Sequence, residues 1–268
     1  MDDLEARERL VVDVAHDGGE LALDSFRREL SVETKAGPMD AVTQVDRDVQ
    51  RRIVDRIAER FPEDGIVGEE DGAAKRVPET GIAWIIDPID GTNNYVAGDR
   101  RWATSVALVE DGEPRAAANY LPATNDSYVA TPDGVLRNDD SMSVSDTTDL
   151  KTFTVDPVFG LSAPERRELA RVSETIVTEF GDLRRVGSGQ TTLSMVASSE
   201  LDAAVSTVEL SPWDTIAGVH LVRRGGGTVT DLTGERWRHD SEGLLASNGT
   251  AHDELVEAFG TYGGTERT

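Results

Sequence analysis

Two aspartates stand three residues apart, directly after a strongly apolar run in the first half of the chain. The run predicts a buried strand that ends at Asp87, and Pro88 lacks a ladder donor, so the chain should leave the sheet there. Asp90 follows in the turn, and two carboxylates at one strand end suit a hard cation that prefers oxygen ligands. Gly91 and Thr92 then offer backbone N–H groups to a phosphate at the start of a helix. An ordinary turn with exposed carboxylates fits this segment about equally well.

Two further acidic segments favour the metal interpretation. Glu69, Glu70 and Asp71 follow a short apolar strand, and Asp214 lies in the first turn of a helix that Pro212 opens. Carboxylates that converge repel each other unless a cation neutralises them, so strand-end acids that lead to one place indicate a metal site. Taken singly, the first segment also fits a solvated acidic turn, and Asp214 also fits a residue favoured by the helix dipole.

Five short motifs are spread over nearly the whole chain. They are KAGPMDAVTQVD at 35–46, GEED at 68–71, DPIDGT at 87–92, RRVGSG at 184–189 and PWDTIAG at 212–218. In this order they resemble the inositol monophosphatase family of lithium-sensitive, magnesium-dependent phosphatases. The resemblance implies a layered α-β-α-β-α sandwich of the sugar phosphatase type, a homodimer, and hydrolysis of a small phosphorylated sugar or polyol.

The resemblance also implies two or three Mg²⁺ ions, with Mn²⁺ as an alternative. A first ion would be held by Glu69, Asp87 and the backbone carbonyl of Ile89. A second would be held by Asp87, Asp90 and Asp214. Oxygen ligands of this kind suit magnesium or manganese better than zinc. The chain has no cysteine, and its four histidines lie outside the motifs, so none is assigned as a ligand or base.

The same resemblance assigns catalytic and substrate-binding residues. Asp46 matches a position linked to a third, weaker magnesium, and Lys35 falls where the family has a lysine near the phosphate. Thr92, together with Glu69, would position the attacking water. Two divalent ions about 3.5–4 Å apart would activate that water and stabilise the charge on the leaving oxygen. The implied phosphate and substrate contacts are Asp90, Gly91, Thr92, Gly187, Ser188, Arg184 and Arg185.

Substrate choice is weakly encoded. Many family members carry a substrate-contacting acid shortly before the WD motif, where this chain has Thr207, with Glu209 displaced by two positions. Arg184 and Arg185 fit a second-phosphate contact and a solvated strand edge about equally well. The sequence is similar to archaeal members that act on both inositol phosphate and fructose 1,6-bisphosphate, and we expect that dual activity. The alternatives are a 3′-phosphoadenosine 5′-phosphate phosphatase and a non-catalytic regulatory protein of the same fold.

The apolar periodicity changes along the chain. Two helices are predicted first, the second with a stripe from Val42 to Ile57, and then an antiparallel meander. Beyond a polar segment near residue 140, strands and helices alternate, and one of these strands is predicted at 183–186. We therefore expect an α+β subdomain over 1–140, with most metal ligands, and an α/β subdomain over 141–268, with Asp214 and substrate contacts.

The composition is strongly acidic, with 51 Asp and Glu against 27 Lys and Arg over 268 residues, a net charge of −24. Such a field repels nucleic acid and anionic membranes, so neither is expected as a partner. The N-terminus has no basic and apolar signal region, and we expect a cytoplasmic protein. Only three of the basic residues are lysines. This bias, with the spread of acids along the whole chain, predicts adaptation to high salt, although an ordinary acidic protein is the alternative.

The charge predicts how stability depends on salt. Dilution from molar salt to about 0.1 M lengthens the Debye length from about 3 Å to about 10 Å, so repulsion among surface carboxylates should increase. We expect the melting temperature to fall on dilution in thermal denaturation experiments. A melting temperature that stays constant or rises would contradict adaptation to high salt.

Overall fold

The computed structural model describes residues 3–28, 32–34 and 41–264. Within these ranges the chain forms seven α-helices and fourteen strands. The helices are α1 Asp3–Ser25, α2 Gln44–Ala58, α3 Thr92–Ala97, α4 Ala163–Glu179, α5 Gly189–Ala197, α6 Pro212–Arg224 and α7 His252–Phe259. The strands are β1 Val32–Thr34, β2 Ala41–Thr43, β3 Gly65–Gly68, β4 Ile82–Asp90, β5 Ala103–Glu110, β6 Glu113–Leu121, β7 Asp126–Thr131, β8 Gly134–Arg137, β9 Asp140–Ser141, β10 Thr154–Pro157, β11 Asp182–Leu183, β12 Ala203–Ser206, β13 Thr228–Thr230 and β14 Leu244–Ser247.

These strands form two large sheets and one small hairpin. The first sheet has seven strands in the order β3-β4-β5-β6-β7-β8-β9, and all its neighbours are antiparallel except β3 and β4. The second has five strands in the order β11-β10-β12-β14-β13, with β10 parallel to both of its neighbours. Strands β1 and β2 pair separately. The parallel pair β3–β4 matters most for the site, because both strands end at the same edge.

Three apolar cores hold five layers together, and one of these cores spans both sides of the central helix layer. Helices α1 and α2 pack on one face of the seven-stranded sheet. Helices α5 and α6 lie between the two large sheets, and α4 and α7 cover the far face of the five-stranded sheet. The predicted α-β-α-β-α sandwich is therefore confirmed.

Strand β4 shows why its sequence is almost continuously apolar. Trp84 and Ile86 point into the core beneath α1 and α2, whereas Ala83 and Ile85 point into the core shared with α5 and α6. Successive side chains of a strand face opposite sides, so a strand covered on both faces needs apolar residues at every position. The result is a rigid, buried strand that carries its polar residues only at the end.

Some boundaries differ from the sequence predictions. Val42, predicted as part of the second helix, lies in β2, and that helix starts at Gln44. Valine is β-branched and fits a strand as well as a helical stripe, so the periodicity did not separate the two. The strand predicted at 183–186 is only Asp182–Leu183. Strand β14 was not predicted, since four residues between glycine-rich turns carry little periodicity. The division into subdomains at residue 140 stays a prediction; β9 ends the first sheet at Ser141, and one core contains residues from both sides.

None of the helices in the described part of the chain is long and apolar enough to cross a bilayer.

Gly218 lets α5 and α6 approach closely. A Cβ atom built on it would lie 2.4 Å from Cβ of Leu193, so any larger residue must push the helices apart. The backbone N–H of Gly218 also donates to Oε1 of Gln190 at 2.8 Å. This close contact fixes the position of α6, and with it that of Asp214.

We expect Gly218→Ala to lower the free energy of unfolding by about 1–3 kcal/mol, because overpacking outweighs the better helix propensity of alanine. Urea denaturation measures the change. Gly134→Ala is the matched control, since no atom lies within 4 Å of a Cβ built there, and it should change stability by less than about 0.5 kcal/mol. A Gly218→Ala variant as stable as the wild type would contradict the close packing.

Candidate active site

A β-bulge brings Asp87 and Asp90 to the same side of β4. Asp87 pairs with Ser105 and Asp90 pairs with Ala103, so three steps along β4 match two steps along β5. Residues three apart on a regular strand face opposite sides, and the extra residue of a bulge reverses that. Pro88 lies in the bulge, where its carbonyl accepts from Oγ1 of Thr104 at 2.8 Å. The bulge at this proline therefore explains how two aspartates three residues apart face the same site.

Glu69 approaches Asp87 through the parallel pairing of β3 and β4. Gly68 pairs with Ile86, and the backbone N–H of Glu69 donates to the carbonyl of Ile86 at 3.3 Å. Glu69 is half-buried, and it lies near enough to Asp87 for its charge to raise the Asp87 pKa. The sequence prediction that the two acidic strand ends meet is therefore supported by the register.

The first turns of α5 and α6 complete the cluster. Asp90 accepts hydrogen bonds from the Ser188 hydroxyl and from the backbone N–H groups of Gly189 (3.1 Å) and Gln190 (2.8 Å). Asp214 lies in the first turn of α6. Carboxylate oxygens of Asp87, Asp90 and Asp214 all lie within 4.8 Å of one another. Two elements that are far apart in sequence, β4 and α6, thus direct acids to one point, and α5 supplies donors to one of them.

Burial and mutual repulsion act together on these carboxylates. Burial raises the pKa of Asp87 well above the ordinary aspartate value of 3.8, and the charges of Glu69, Asp90 and Asp214 raise it further. Burial likewise raises the pKa of Asp214. Burial also raises the pKa of Asp90, although the hydrogen bonds from α5 oppose that shift. The ionised cluster is therefore unfavourable unless a positive charge joins it.

The donor set fits divalent metal ions that prefer oxygen. Oδ1 of Asp87 is buried and has no hydrogen-bond partner within the described ranges. A buried carboxylate oxygen without a donor is costly, and a cation at the centre of the cluster would satisfy it. Its neighbours are carboxylates, which are hard ligands of the kind that magnesium and manganese prefer.

Thr92 links the end of β4 to Asp46, a further buried acid. Its hydroxyl lies 2.9 Å from the carbonyl oxygen of Ile89 and 3.2 Å from Oδ1 of Asp46. Asp46 is fully buried in the first turn of α2. The predicted neighbours Asp46, Ile89 and Thr92 are thus brought together, whereas Lys35 lies outside the described residues.

Glycines at two turns let the surrounding backbone close around the acids. Gly91 has a positive φ of 87°, and a Cβ atom there would lie 2.9 Å from Cβ of Ser188. Gly187 also has a positive φ, and the amide of Asn94 packs against it. The Asn94 side chain donates to the carbonyls of Arg101 (2.6 Å) and Val186 (2.9 Å), and so ties the two glycine turns together. The predicted phosphate contacts of Gly91, Gly187 and Ser188 stay predictions.

The two predicted arginines have different partners. Arg184 is exposed and pairs with Asp182. Arg185 is half-buried, and its guanidinium donates to the backbone carbonyls of Phe159 (2.7 Å) and Pro157 (3.4 Å). Arg185 therefore braces the chain that follows β10. The second-phosphate contact stays a prediction, and Arg184 has the more exposed side chain.

Sequence reasoning missed two residues that support the site. Gln190 donates to the carbonyl of Trp213 at 2.5 Å and accepts from Gly218, so it cross-links α5 to α6 beside Asp214. Asp156 is fully buried and accepts from Oγ1 of Thr192 and from the backbone N–H of Val186; burial raises its pKa to about 6. Asp156 precedes a proline at a strand end, as Asp87 does, and this repeated pattern was a usable signal.

The chain matches one family model and several known proteins along most of its length. A model described as the inositol monophosphatase family matches residues 3–263. The chain is 31% identical over 249 residues to the inositol-1-monophosphatase of Bacillus subtilis, covering 91% of this chain and 92% of that protein. It is 33% identical over 258 residues to the fructose-1,6-bisphosphatase/inositol-1-monophosphatase of Thermotoga maritima, covering 96% and 95%.

Solved structures and further relatives add the fold and a range of functions. A Thermotoga maritima IMPase structure matches with a TM-score of 0.84 and 31% identity, covering 98% of each chain. Other relatives are named as a Nus factor SuhB from Xylella fastidiosa, at 33% identity, and a histidinol-phosphatase from Chlorobaculum parvum, at 30%. Relatives of similar identity are thus named for different functions.

The pKa shifts predict an unusual effect of Asp87→Asn on the metal-free protein. A carboxyl whose folded pKa is raised holds more protons in the folded state, so its contribution to stability falls as the pH rises above 3.8. We therefore expect Asp87→Asn to raise the melting temperature near neutral pH in chelator, because the new amide can donate to the neighbouring carboxylates. The pH dependence of stability should also flatten.

Asp64→Asn is the matched control. Asp64 accepts from Arg7 (2.7 and 2.8 Å) and from Nε1 of Trp84 (2.9 Å), so it is a buried acid with donors. The same chemical change should destabilise the protein there by about 3 kcal/mol, since it leaves a partly buried guanidinium unpaired. Equal losses of stability in both variants would contradict the repulsive cluster.

Proposed function

The chain belongs to the inositol monophosphatase family, and we propose that it hydrolyses the phosphate monoester of a small sugar or polyol with the help of bound divalent metal ions. The observation that carries this proposal is the convergence of Asp87, Asp90 and Asp214 within 4.8 Å, with a buried oxygen of Asp87 lacking a donor among the described residues. An all-carboxylate site of this kind suits phosphoryl transfer to water.

Glu69, Asp87 and the carbonyl of Ile89 would hold one Mg²⁺ ion, and Asp87, Asp90 and Asp214 would hold a second. Mn²⁺ is the alternative, and a third ion would lie near Asp46. When bound, such ions lower the pKa of water and stabilise charge on the phosphoryl and leaving oxygens.

The chain's own residues would position the nucleophile. The Thr92 hydroxyl has one proton, which it can donate to Asp46 or to the Ile89 carbonyl, and its oxygen can then accept a hydrogen bond from a water molecule. Glu69 would hold the same water from the adjacent strand end. Asp46 is buried beside Thr92, so it is placed to receive a proton that passes through the hydroxyl.

For the substrate, we propose inositol monophosphate, fructose 1,6-bisphosphate or both. The names of the Bacillus subtilis and Thermotoga maritima relatives support these two. Thr207 lies 3.4 Å from Oε2 of Glu168, and Glu209 is exposed, so an acid for a sugar hydroxyl would come from α4 or from a rearranged loop. A phosphatase for 3′-phosphoadenosine 5′-phosphate is the less favoured alternative.

A regulatory role is the second candidate, because some relatives carry the name Nus factor SuhB. Three observations favour catalysis instead. Asp87, Asp90 and Asp214 converge, and the Thr92 hydroxyl lies 3.2 Å from Oδ1 of Asp46. The net charge of −24 also disfavours direct contact with nucleic acid. The homodimer and the cytoplasmic location stay predictions.

Phosphate release with Mg²⁺ tests the proposal. We expect release from inositol 1-phosphate or fructose 1,6-bisphosphate, with less from 3′-phosphoadenosine 5′-phosphate and histidinol phosphate. Asp90→Asn should lower turnover at saturating substrate by at least about a hundredfold, since it removes a charged ligand. No release from any of these substrates in high salt, or near-normal turnover by Asp90→Asn, would refute the proposal.

A further inference from the structure

Lys75 stands out because the chain uses arginine almost everywhere else. It is one of three lysines among 27 basic residues. Its ammonium lies 2.8 Å from the carbonyl oxygen of Gly68, 2.8 Å from that of Glu69 and 2.9 Å from that of Glu70. An ammonium has three donors, so these three carbonyls satisfy all of them. Lys75 therefore has no donor left for a phosphate in this arrangement.

Three successive carbonyls cannot point to one atom from an extended strand, because strand carbonyls alternate in direction. The chain must turn around the ammonium directly after β3, at the residue that carries the Glu69 carboxylate. The backbone before Lys75 is anchored as well. The N–H of Ala74 donates to the carbonyl of Ile66 at 3.0 Å, and the carbonyl of Ala74 accepts from Gly68 at 3.1 Å. Segment 69–75 is thus a closed loop with the ammonium at its centre.

The ammonium of Lys75 also contacts the start of α6, which carries Asp214. It lies 5.2 Å from the centroid of the Trp213 ring, within cation–π range. Trp213 directly precedes Asp214, and its carbonyl is held by Gln190. Lys75 therefore touches the residue before one metal ligand and the backbone of another.

We propose that Lys75 is a positioning residue that joins the Glu69 strand end to the Trp213–Asp214 turn and so sets the spacing of the metal ligands. Lysine suits this role better than arginine, since its compact ammonium fits three converging carbonyls, whereas a planar guanidinium does not. The inference deepens the proposed function and rests on it. Lys75 touches backbone and an indole ring, and so acts through Glu69 and Asp214.

Lys151 is a matched control. Its ammonium also binds backbone carbonyls, those of Glu179 (2.8 Å) and Thr178 (3.3 Å) at the end of α4. If the loss of any carbonyl-bound lysine weakened metal binding, substitution of Lys75 and of Lys151 should lower the Mn²⁺ affinity equally. Loss of ligand positioning should affect only Lys75.

The experiment is Mn²⁺ binding by calorimetry in high salt, with circular dichroism to confirm folding. We expect Lys75→Met to raise the Kd for Mn²⁺ by about ten- to a hundredfold, the usual effect of losing a group that orients metal ligands. Lys75→Arg should recover part of the loss, and Lys151→Met should bind as the wild type does. The metal concentration for half-maximal activity should shift in parallel, with little change in KM at saturating metal.

A double-mutant cycle with Trp213→Leu tests the link between the two parts. If the contact between the ammonium and the indole positions the ligands, the two substitutions should not act independently. The double mutant should then lose less Mn²⁺ affinity than the product of the two single losses. Wild-type affinity in folded Lys75→Met or Lys75→Arg, or equal losses in Lys151→Met, would overturn the inference while leaving the proposed function intact. A wild-type protein that binds no Mn²⁺ would instead overturn the proposed function, and the inference with it.

Discussion

Repulsion among three close carboxylates, two of them buried and one half-buried, is the constraint on which the rest of the structure depends. Asp87, Asp90 and Asp214 lie within 4.8 Å of one another, and the pKa of each is raised above the ordinary aspartate value. Such an arrangement costs stability in the folded chain and is useful only when cations bind there. The protein accordingly holds the acids on regular elements, Asp87 and Asp90 on β4 and Asp214 on α6. The cluster cannot relax by moving one loop away.

Several supports resist that repulsion. The bulge at Pro88 fixes the two aspartates of β4, and the first turn of α5 donates hydrogen bonds to Asp90. Gln190 and Gly218 hold α6 against α5. Through these contacts, α5 and α6 of the second half of the chain hold the acids of the cluster together.

The local features of the site were predictable from sequence. The contacts between residues far apart in the chain were not. The buried strand that carries Asp87 and the first-turn Asp214 follow from local pattern and family motifs. The prediction that the chain leaves the sheet at Pro88 is wrong, because a bulge accommodates the proline and β4 continues to Asp90. The donors to Asp90 do not follow from local pattern, because Ser188 lies 98 residues away in sequence. The role of Lys75 does not follow from sequence either, since nothing local shows that three carbonyls turn toward it. Short elements such as β14 were missed because four residues carry too little periodicity.

Proton release on metal binding tests the central claim most directly. If the raised pKa values leave part of the cluster protonated, a divalent ion must displace those protons when it binds. Calorimetric titration with Mn²⁺ in two buffers of different ionisation enthalpy measures the number released. We predict release at mildly acidic pH that declines as the pH rises, and that is reduced in Asp87→Asn. Tight binding without proton release at any pH, or the same release from Asp87→Asn, would contradict the account.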